Sequence, residues 1–435
     1  MKILFIVPYA PNLIRVRPYQ LIRTLAKQEH QLTVLTFWHQ EEELSELDRL
    51  RALGVEVILH RIPLLRSAWN CLQAVPSQIP LQSVYCWSPL GIRSLQQLIR
   101  SRSFDVVHVE HLRGARYGIE LKKYLSQLNK SLPVVWDSVD CISHLFAQAS
   151  ASSRSLKGRL MTSLELGRTQ QYEGWLVNQF DHTVVTSKVD AEMLGNLAIK
   201  SWADRNHQNG TNHRQNPEKC VEVVPNGVDL DYFGFSDTPR ATETIVFTGK
   251  MSYHANITAA KALIQEIMPI VWAQKPNTQV QIVGKDPPTE IVALANKDSQ
   301  NSAHSSLPNR IEITGTVPDM NTYLQQATIS VVPIQYGAGI QNKILEAMAC
   351  GAPVVSSRQA AAGLNEQSQS AMVIADNHQT FAQALLDLLE NPEHRKRLSK
   401  AGRQYVEDHY AWSVAGQRLE SIYTTSIQNA QRQSY

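Results

Sequence analysis

The sequence predicts an α/β protein of two similar domains, each a mainly parallel sheet with helices on both faces. Three observations carry this. Short apolar runs alternate with amphipathic stretches along nearly the whole chain, the pattern of strands joined by crossover helices. The length, 435 residues, suits two or three domains. The alternation is interrupted once, by Lys200 to Glu218 (KSWADRNHQNGTNHRQNPE), and then resumes. That segment is rich in Asn, Gln and His and poor in core residues, so it reads as a flexible surface loop and not as a metal site. A ligand cleft between the two domains is the default expectation.

In the first half, Ile3–Val7, Leu32–Phe37, Val55–His60, Asp105–Val109, Pro133–Trp136 and His182–Thr186 read as strands. Arg17–Gln28, Glu41–Leu53 and Arg113–Leu128 read as helices between them. Met1–Ala10 resembles a leader superficially, but its apolar run ends at Pro8, so it reads as a buried first strand. The long stretch Leu64–Ser103, with Trp69, Tyr85 and Trp87, is either an elaboration near a ligand face or interface, or an excursion with its own small core. In the second half the strands are Val221–Val224, Thr244–Phe247, Val280–Val283, Ile311–Ile313, Ser330–Val332 and Pro353–Val355. Helices follow over Thr380–Glu390, Pro392–Asp408 and Ala411–Ile427. The last has an apolar stripe of Trp412, Val414, Leu419 and Ile422 and is long enough to cross back to the first domain. The expected division is 1–220, 221–408 and a C-terminal helix over 409–435.

Composition removes several classes. Lys and Arg total 42 against 39 Asp and Glu, a net charge of +3, with no basic stripe studded by aromatics. Nucleic acid is therefore not an expected partner. An apolar fraction of 43% argues against disorder. No run approaches the ~18 apolar residues of a membrane span. Cys71, Cys86, Cys141, Cys220 and Cys350 are scattered without a CxxC pair, which suits a reducing, cytoplasmic compartment. Peripheral contact with the inner face of the plasma membrane is compatible with it. The basic amphipathic stretch Ala151–Trp175, with Arg154, Lys157, Arg159 and Arg168, suits either an anionic membrane surface or an ordinary helix on the sheet. Glu173, on the same stretch, is expected to pair with a basic group near the cleft.

The strongest motif is Gly337-Ala338-Gly339-Ile340-Gln341-Asn342-Lys343-Ile344-Leu345-Glu346, which follows a strand and opens a helix. The glycines allow a tight turn and close approach to a ligand. Free amides at the helix start can take phosphate oxygens. Lys343 adds charge one turn in, and Glu346 suits ribose hydroxyls. The motif is neither a Walker loop nor a dinucleotide fingerprint. A second turn, Thr248-Gly249-Lys250, ends the strand Thr244–Phe247, where Lys250 and Lys343 together could neutralise a diphosphate. Pro225-Asn226-Gly227-Val228-Asp229 is a rigid turn at the domain join, read first as a hinge.

In the first domain, Arg15 and Arg17 after the first strand suit the phosphate of a donor or the phosphate or carboxylate of an acceptor. Strand alternation puts His108 and Glu110 on one side, next to His111. No set of three metal ligands is legible in this pattern. Asp137 and Asp140 follow another strand. Asp137 is assigned to the cleft, where it could orient or deprotonate an acceptor hydroxyl, and Asp140 to capping the next helix.

Taken together, these blocks resemble a known family. They are ILFIVPYAP with Arg15 and Arg17, DVVHVEH at 105–111, VVWDSVD at 134–140, VVPNGVD at 223–229, FTGKM at 247–251 and PIQYGAGIQNKILEAMACGAPVV at 333–355. The sequence resembles the retaining glycosyltransferases of GT-B family 4, and most closely the bacterial sugar-transferase branch associated with exopolysaccharide and surface-glycan export systems. The resemblance implies two Rossmann-like domains facing a cleft, with acceptor in the first and nucleotide-sugar donor in the second. It implies that Lys250 and Lys343 meet the donor diphosphate, that the backbone at Gly339 and Ile340 receives phosphate, that Glu346 meets ribose, and that no metal or other cofactor is needed. The implied reaction moves a sugar from a UDP- or GDP-linked donor to a hydroxyl on a glycan, lipid-linked or small-molecule acceptor. Contact with a membrane or a glycan-assembly complex is compatible. Four departures stand out. Ala338 occupies a position where many members have glutamate, Lys250 stands where arginine is frequent, and the basic residue often found farther on has no match near Asn256. Many members also carry a histidine after the fifth strand, where this chain has Asp137, Ser138 and Asp140. An epimerase or hydrolase on the same fold, or an inactive scaffold, are the competing readings.

Overall fold

The computed structural model describes residues 1–12, 15–44, 46–152, 156–209, 221–303, 310–336 and 340–432. It divides into two compact units, one formed by Met1–Asn226 with Ala415–Tyr435 and the other by Gly227–Val414. Both are Rossmann-like α/β domains with parallel sheets.

The first unit begins with β1 (Lys2–Val7), α1 (Val16–Lys27), β2 (Gln31–Trp38), α2 (Leu47–Ala52) and β3 (Glu56–Arg61). Three helices follow, α3 (Leu64–Ala74), α4 (Leu81–Tyr85) and α5 (Pro89–Ser101), so the long stretch expected after the third strand is helical. Then come β4 (Val106–Glu110), α6 (His111–Gln127), β5 (Val134–Val139), α7 (Ile142–Ser152), α8 (Leu156–Val177), β6 (His182–Val185), α9 (Lys188–Asn209) and β7 (Val221–Val223). The strand order is β3-β2-β1-β4-β5-β6-β7. Every pairing is parallel. Strands covered on both faces must be apolar throughout, and β1 accordingly has Ile3, Leu4, Phe5, Ile6 and Val7 fully buried.

Two boundaries differ from expectation. The segment from Lys200 is helical as far as Asn209, because it contains no proline or glycine before Gly210 and includes good helix formers such as Ala203. The rest of the expected loop, 210–218, lies outside the described residues. Second, Val221–Val223 pairs with β6 and closes the first sheet instead of opening the second. The unit boundary falls inside Pro225–Asp229, between Asn226 and Gly227.

The second unit contains β8 (Thr244–Thr248), α10 (His254–Ala262), α11 (Met268–Gln274), β9 (Gln279–Val283), α12 (Thr289–Ala303), β10 (Ile311–Gly315), α13 (Met320–Gln326) and β11 (Ile329–Val332). It continues with α14 (Asn342–Ala349), β12 (Val354–Ser356), α15 (Arg358–Ala361), β13 (Val373–Ile374), α16 (His378–Glu390) and α17 (Pro392–His409). The strand order is β10-β9-β8-β11-β12-β13, again parallel. Its core is built from β8, β9, β11 and β12 against helices such as α14, whose Ile344, Leu345, Ala347 and Met348 are buried. The last helix, α18 (Trp412–Arg432), belongs to the first unit from Ala415 onward. Its Gly416 has no room for a side chain, since a Cβ there would meet Thr24 Cγ2 at 2.7 Å.

Among the described residues no helix is long and apolar enough to cross a membrane. The four described cysteines, Cys71, Cys86, Cys141 and Cys350, are free thiols. Cys220 lies outside the described residues.

Candidate functional site

In an open parallel sheet, ligands gather at the carboxyl ends of the strands where the strand order reverses. In the first unit this switch point lies between β1 and β4, in the second between β8 and β11. The candidate residues fall at these two places.

In the first unit, β4 and β5 are neighbours with Glu110 opposite Asp137. This register gathers His108, Glu110 and Asp137, all fully buried, with one ligand-type atom from each within 4.8 Å of the others. The expectation that no three metal-ligating groups come together is therefore corrected. Each residue alone is an ordinary strand residue, and only the pairing of two strands joins them. A cation is already supplied by the protein. Arg17 Nε donates to Asp137 Oδ2 at 2.9 Å, and Nη2 lies 2.7 Å from the same oxygen. Arg17 Nη1 donates to Val224 O at 2.9 Å and Asn226 Oδ1 at 3.0 Å. His108 Nε2 is 3.4 Å from Glu110 Oε2, and its Nδ1 is 2.8 Å from the hydroxyl of Tyr423 on α18. Burial and the neighbouring Asp137 push the Glu110 carboxyl up, against the opposing pull of His108 and Arg17.

This arrangement revises two site assignments. Arg17 is committed to Asp137 and to backbone, so it is not open to an external anion. Asp137 has no exposed surface and is not presented as a base to an acceptor. A charge removed from water needs a partner, and these two partner each other. Asp140 does not cap the following helix either. Its carboxylate accepts from Thr186 Oγ1 at 3.1 Å. The amides of Ile142 and Ser143 instead donate to Glu173 at 2.8 and 3.1 Å. Glu173 therefore serves as a cap from α8 and not as the expected partner of a basic group. Burial pushes its carboxyl up to about 7, while those hydrogen bonds oppose the rise.

His111 is the residue that strand periodicity undervalued. It starts α6 with φ of 62°, a left-handed conformation that costs a non-glycine residue energy and concentrates at functional sites. Burial, with Arg113 and Arg15 nearby, lowers its pKa to about 3, which keeps the ring neutral. Nothing in a single sequence announces a positive φ at a histidine. Val139, at φ of 69°, adds a second strained position where β5 bulges after Asp137.

Arg15 remains accessible. Its guanidinium lies 4.2 Å from the Tyr9 ring centroid and 3.8 Å from Glu43. With Arg113, His39 and Tyr85 it lines a surface pocket of about 450 Å³. The Arg113 Nε is buried with no hydrogen-bond partner among the described residues, so an anion entering this pocket would find an unsatisfied donor.

In the second unit, β8 is followed directly by Gly249, whose φ is 147°. A Cβ there would meet Lys343 Nζ at 2.8 Å and Asn256 Nδ2 at 2.9 Å, so a bare backbone is required. Lys343, on the first turn of α14, donates to Asn256 Oδ1 at 2.7 Å and lies 4.5 Å from the Phe247 ring centroid. Asn256 Nδ2 in turn donates to Lys250 O at 2.8 Å. The Asn256 position, which lacks the basic residue sought there, thus orients the lysine. Burial lowers Lys343 to about 8, with Glu346 opposing the fall, and burial raises Glu346 to about 7, with Lys343 opposing the rise. Two groups poised near neutrality in an apolar setting are suited to meeting a charged ligand. Lys250 stands exposed at the end of β8, and Ile340 is half-buried against the core. Gly339 lies outside the described residues, as do Gly337 and Ala338.

Comparison with known proteins bears on the family likeness and the fold. The family "Glycosyl transferase 4-like domain" matches residues 14–205, and the family "Glycosyl transferases group 1" matches residues 242–391. A GDP-mannose-dependent monoacylated alpha-(1-6)-phosphatidylinositol monomannoside mannosyltransferase of Corynebacterium glutamicum is 28% identical over 221 residues, 46% of this chain and 55% of that protein. A D-inositol 3-phosphate glycosyltransferase of Rhodococcus opacus is 24% identical over 265 residues, 56% of this chain and 58% of that protein. The chain thus spans a little over half the length of the curated relatives it matches. Among solved structures, Anabaena Alr3699/HepE in complex with UDP superposes with a TM-score of 0.59 at 13% identity, covering 98% of this chain and 100% of that one. At that identity the likeness is one of fold. With a glycosyl transferase domain matched in each half and a shared two-domain GT-B fold, the chain is similar to the family-4-like glycosyltransferases, among them nucleotide-sugar-dependent mannosyl and glycosyl transferases.

Proposed function

We propose that the protein transfers a hexosyl group from a nucleoside-diphosphate sugar to a hydroxyl acceptor with retention of anomeric configuration. The observation that carries this reading is the Lys343 ammonium, held by Asn256 beside the side-chain-free Gly249 at the end of β8. As the bond from the anomeric carbon to the β-phosphate oxygen breaks, negative charge grows on the diphosphate. Lys343, Lys250 and the amides at Gly339 and Ile340 stabilise it where it develops. The acceptor oxygen bonds to the same face of the anomeric carbon, and its proton passes to the departing phosphate oxygen. Glu346 holds the ribose. The reaction needs no metal in this reading, since lysines and helix amides supply the positive charge.

The acceptor belongs to the first unit, with its anionic group in the pocket of Arg15 and Arg113 and its reacting end towards neutral His111. Buried Arg17, Asp137, His108 and Glu110 position this wall without touching substrate. The printed activities of the corynebacterial and mycolicibacterial relatives, both GDP-mannose-dependent, support a GDP-linked donor. The UDP bound by the Anabaena protein supports UDP. The motif resemblance supports a glycan or lipid-linked acceptor in surface-polysaccharide assembly. It also supports a place on the cytoplasmic side, which suits free thiols.

The test is metal-free binding of UDP, GDP and ADP to the wild type and to Lys343→Ala. Selective binding of one nucleotide, weakened roughly tenfold or more in a folded variant, is the expected result. Equal affinity in both proteins removes Lys343 from the site, and no binding of any nucleotide by folded wild type rejects the reading.

A further inference from the structure

Helix α3 is amphipathic in the reverse sense for a soluble protein. Its inward face is small and polar, with Ser67, Asn70 and Ala74 buried and Asn70 Nδ2 donating to Trp87 O at 2.8 Å. Its outward face is apolar. Leu64 is 58% exposed, Leu65 85%, Trp69 52%, Leu72 62% and, just past the helix, Val75 51%. At helical spacing these side chains fall on one side. Ile79 and Leu90 are also exposed in the segments that follow. Scattered exposed leucines need no explanation, but a continuous stripe on one helix does.

The part of the chain that carries this stripe is basic. From Val57 to Phe104 the chain has Arg61, Arg66, Arg93, Arg100 and Arg102 and no Asp or Glu; Arg100 is engaged with Tyr124 and Arg102 with Glu56, which leaves Arg66 on α3 itself, with Arg61 and Arg93, as the basic residues offered to the stripe's surroundings. Arg168, on α8, reaches the end of α3 and donates to Val75 O at 2.7 Å. The carboxylates that approach this region are already engaged. Glu165 accepts from Leu81 N and pairs with Arg168, and Glu43 pairs with Arg15. Arg154, Lys157 and Arg159, the basic residues expected to add to such a surface, lie outside the described side chains.

We infer that the outward face of α3 docks this protein on an anionic lipid bilayer. The helix has 11 residues, about 16 Å, too short to span and suited to lying in the interface plane. Leucines and Trp69 would enter the acyl boundary, and the arginines would face lipid phosphates. Tryptophan is favoured at this depth. Leu64 also lines the pocket that holds Arg15 and Arg113, so the docking face adjoins the acceptor side of the first unit. The inference stands independently of the proposed transfer reaction.

The test is flotation of the full chain with vesicles of phosphatidylcholine alone and of phosphatidylcholine mixed with phosphatidylglycerol. Wild type is expected to float with the mixed vesicles only and to be released by salt. A double variant, Leu65→Ser with Trp69→Ser, is expected to bind them roughly tenfold or more weakly while keeping its circular dichroism and melting temperature, because both side chains point outward. Arg66→Gln should weaken binding by a few-fold only. No flotation of the wild type, equal flotation of the double variant, or equal affinity for uncharged vesicles would each overturn the inference. So would a concentration-dependent dimer that the double variant abolishes without any vesicle binding, which would make the face a self-association surface.

Discussion

Arg17 and Asp137, 120 residues apart in sequence, meet at 2.7 Å with 4% and 0% of their side chains exposed. The first is on the helix after β1 and the second near the end of β5. Their pairing links the two halves of the first sheet across β4, directly beside Glu110 and His108. Arg17→Ala would leave Asp137 buried and unpaired next to a second carboxyl. It should cost about 3–5 kcal/mol of stability, measured by urea unfolding. The double change Arg17→Met with Asp137→Leu should recover much of that loss. If each single variant costs under about 1 kcal/mol, the pair is not the structural tie described.

Lys343 predicts a pH dependence with a definite sign. Burial lowers its pKa to about 8, and a bound diphosphate stabilises the ammonium and pulls the pKa back up. Below pH 8 the lysine is already charged and binding takes up no proton. Above pH 8 the empty site must gain a proton to bind, so nucleotide affinity should fall by up to about tenfold per pH unit. Titration calorimetry across pH 6.5 to 9.5 measures this. Lys343→Arg, which stays charged, should flatten the profile. An unchanged slope in that variant assigns the titration elsewhere.

Gly249→Ala tests the close approach at the end of β8. The new Cβ would fall 2.8 Å from Lys343 Nζ and would demand a φ of 147° from alanine. Nucleotide binding should weaken by at least an order of magnitude, with about 1–3 kcal/mol of destabilisation. Lys250→Ala, on an exposed side chain, should leave stability within about 0.5 kcal/mol while reducing turnover. Loss of stability without loss of nucleotide affinity in Gly249→Ala would separate that glycine from the donor site.

His111 should show a conflict between stability and activity. Its φ of 62° is strained for histidine and natural for glycine. His111→Gly should therefore keep stability within about 1 kcal/mol of wild type, or raise it, while sugar transfer falls by a hundredfold or so. His111→Ala keeps the strain and loses the ring, so it should be the less stable of the two. Thermal unfolding with a transfer assay on both variants decides the matter. Full activity in either removes the imidazole from the reaction.

Glu173 offers a stability test with the opposite pH sense from a salt-bridged acid. Its carboxyl is raised to about 7 by burial. For a raised acid, the native state binds a proton that the unfolded state has already released, so stability declines as pH rises from about 4.5 through 7. Glu173→Gln should keep the cap on Ile142 and Ser143 and abolish this part of the decline, as read from melting temperatures over that range. An identical pH profile in the variant would show that Glu173 is not its source.

Much of the molecule was legible one residue at a time. Strand and helix succession in both halves follows from apolar periodicity, because a strand buried on both faces can only be written in residues such as Ile3–Val7. The turn at Gly249 and the Lys343–Glu346 helix were legible because glycine, lysine and helix start are local features of chain chemistry. Local pattern was thus enough for the fold class and the donor-side motif. Which charges are spent on one another was settled by long-range contacts. Arg17 looked free until β5 brought Asp137 to it, and Asp140 looked like a cap until α8 brought Glu173. His108, Glu110 and Asp137 became a cluster only through the β4–β5 register. Asn256 became a lysine's anchor only because β8 and α14 meet. The outward stripe of α3 lies in Leu64–Ser103, which reads in sequence only as an elaboration or an excursion with its own core, since even a periodic apolar face does not report which way it turns. Each of these depends on contacts between residues far apart in the chain, and desolvation and pairing energies exist only once such contacts form.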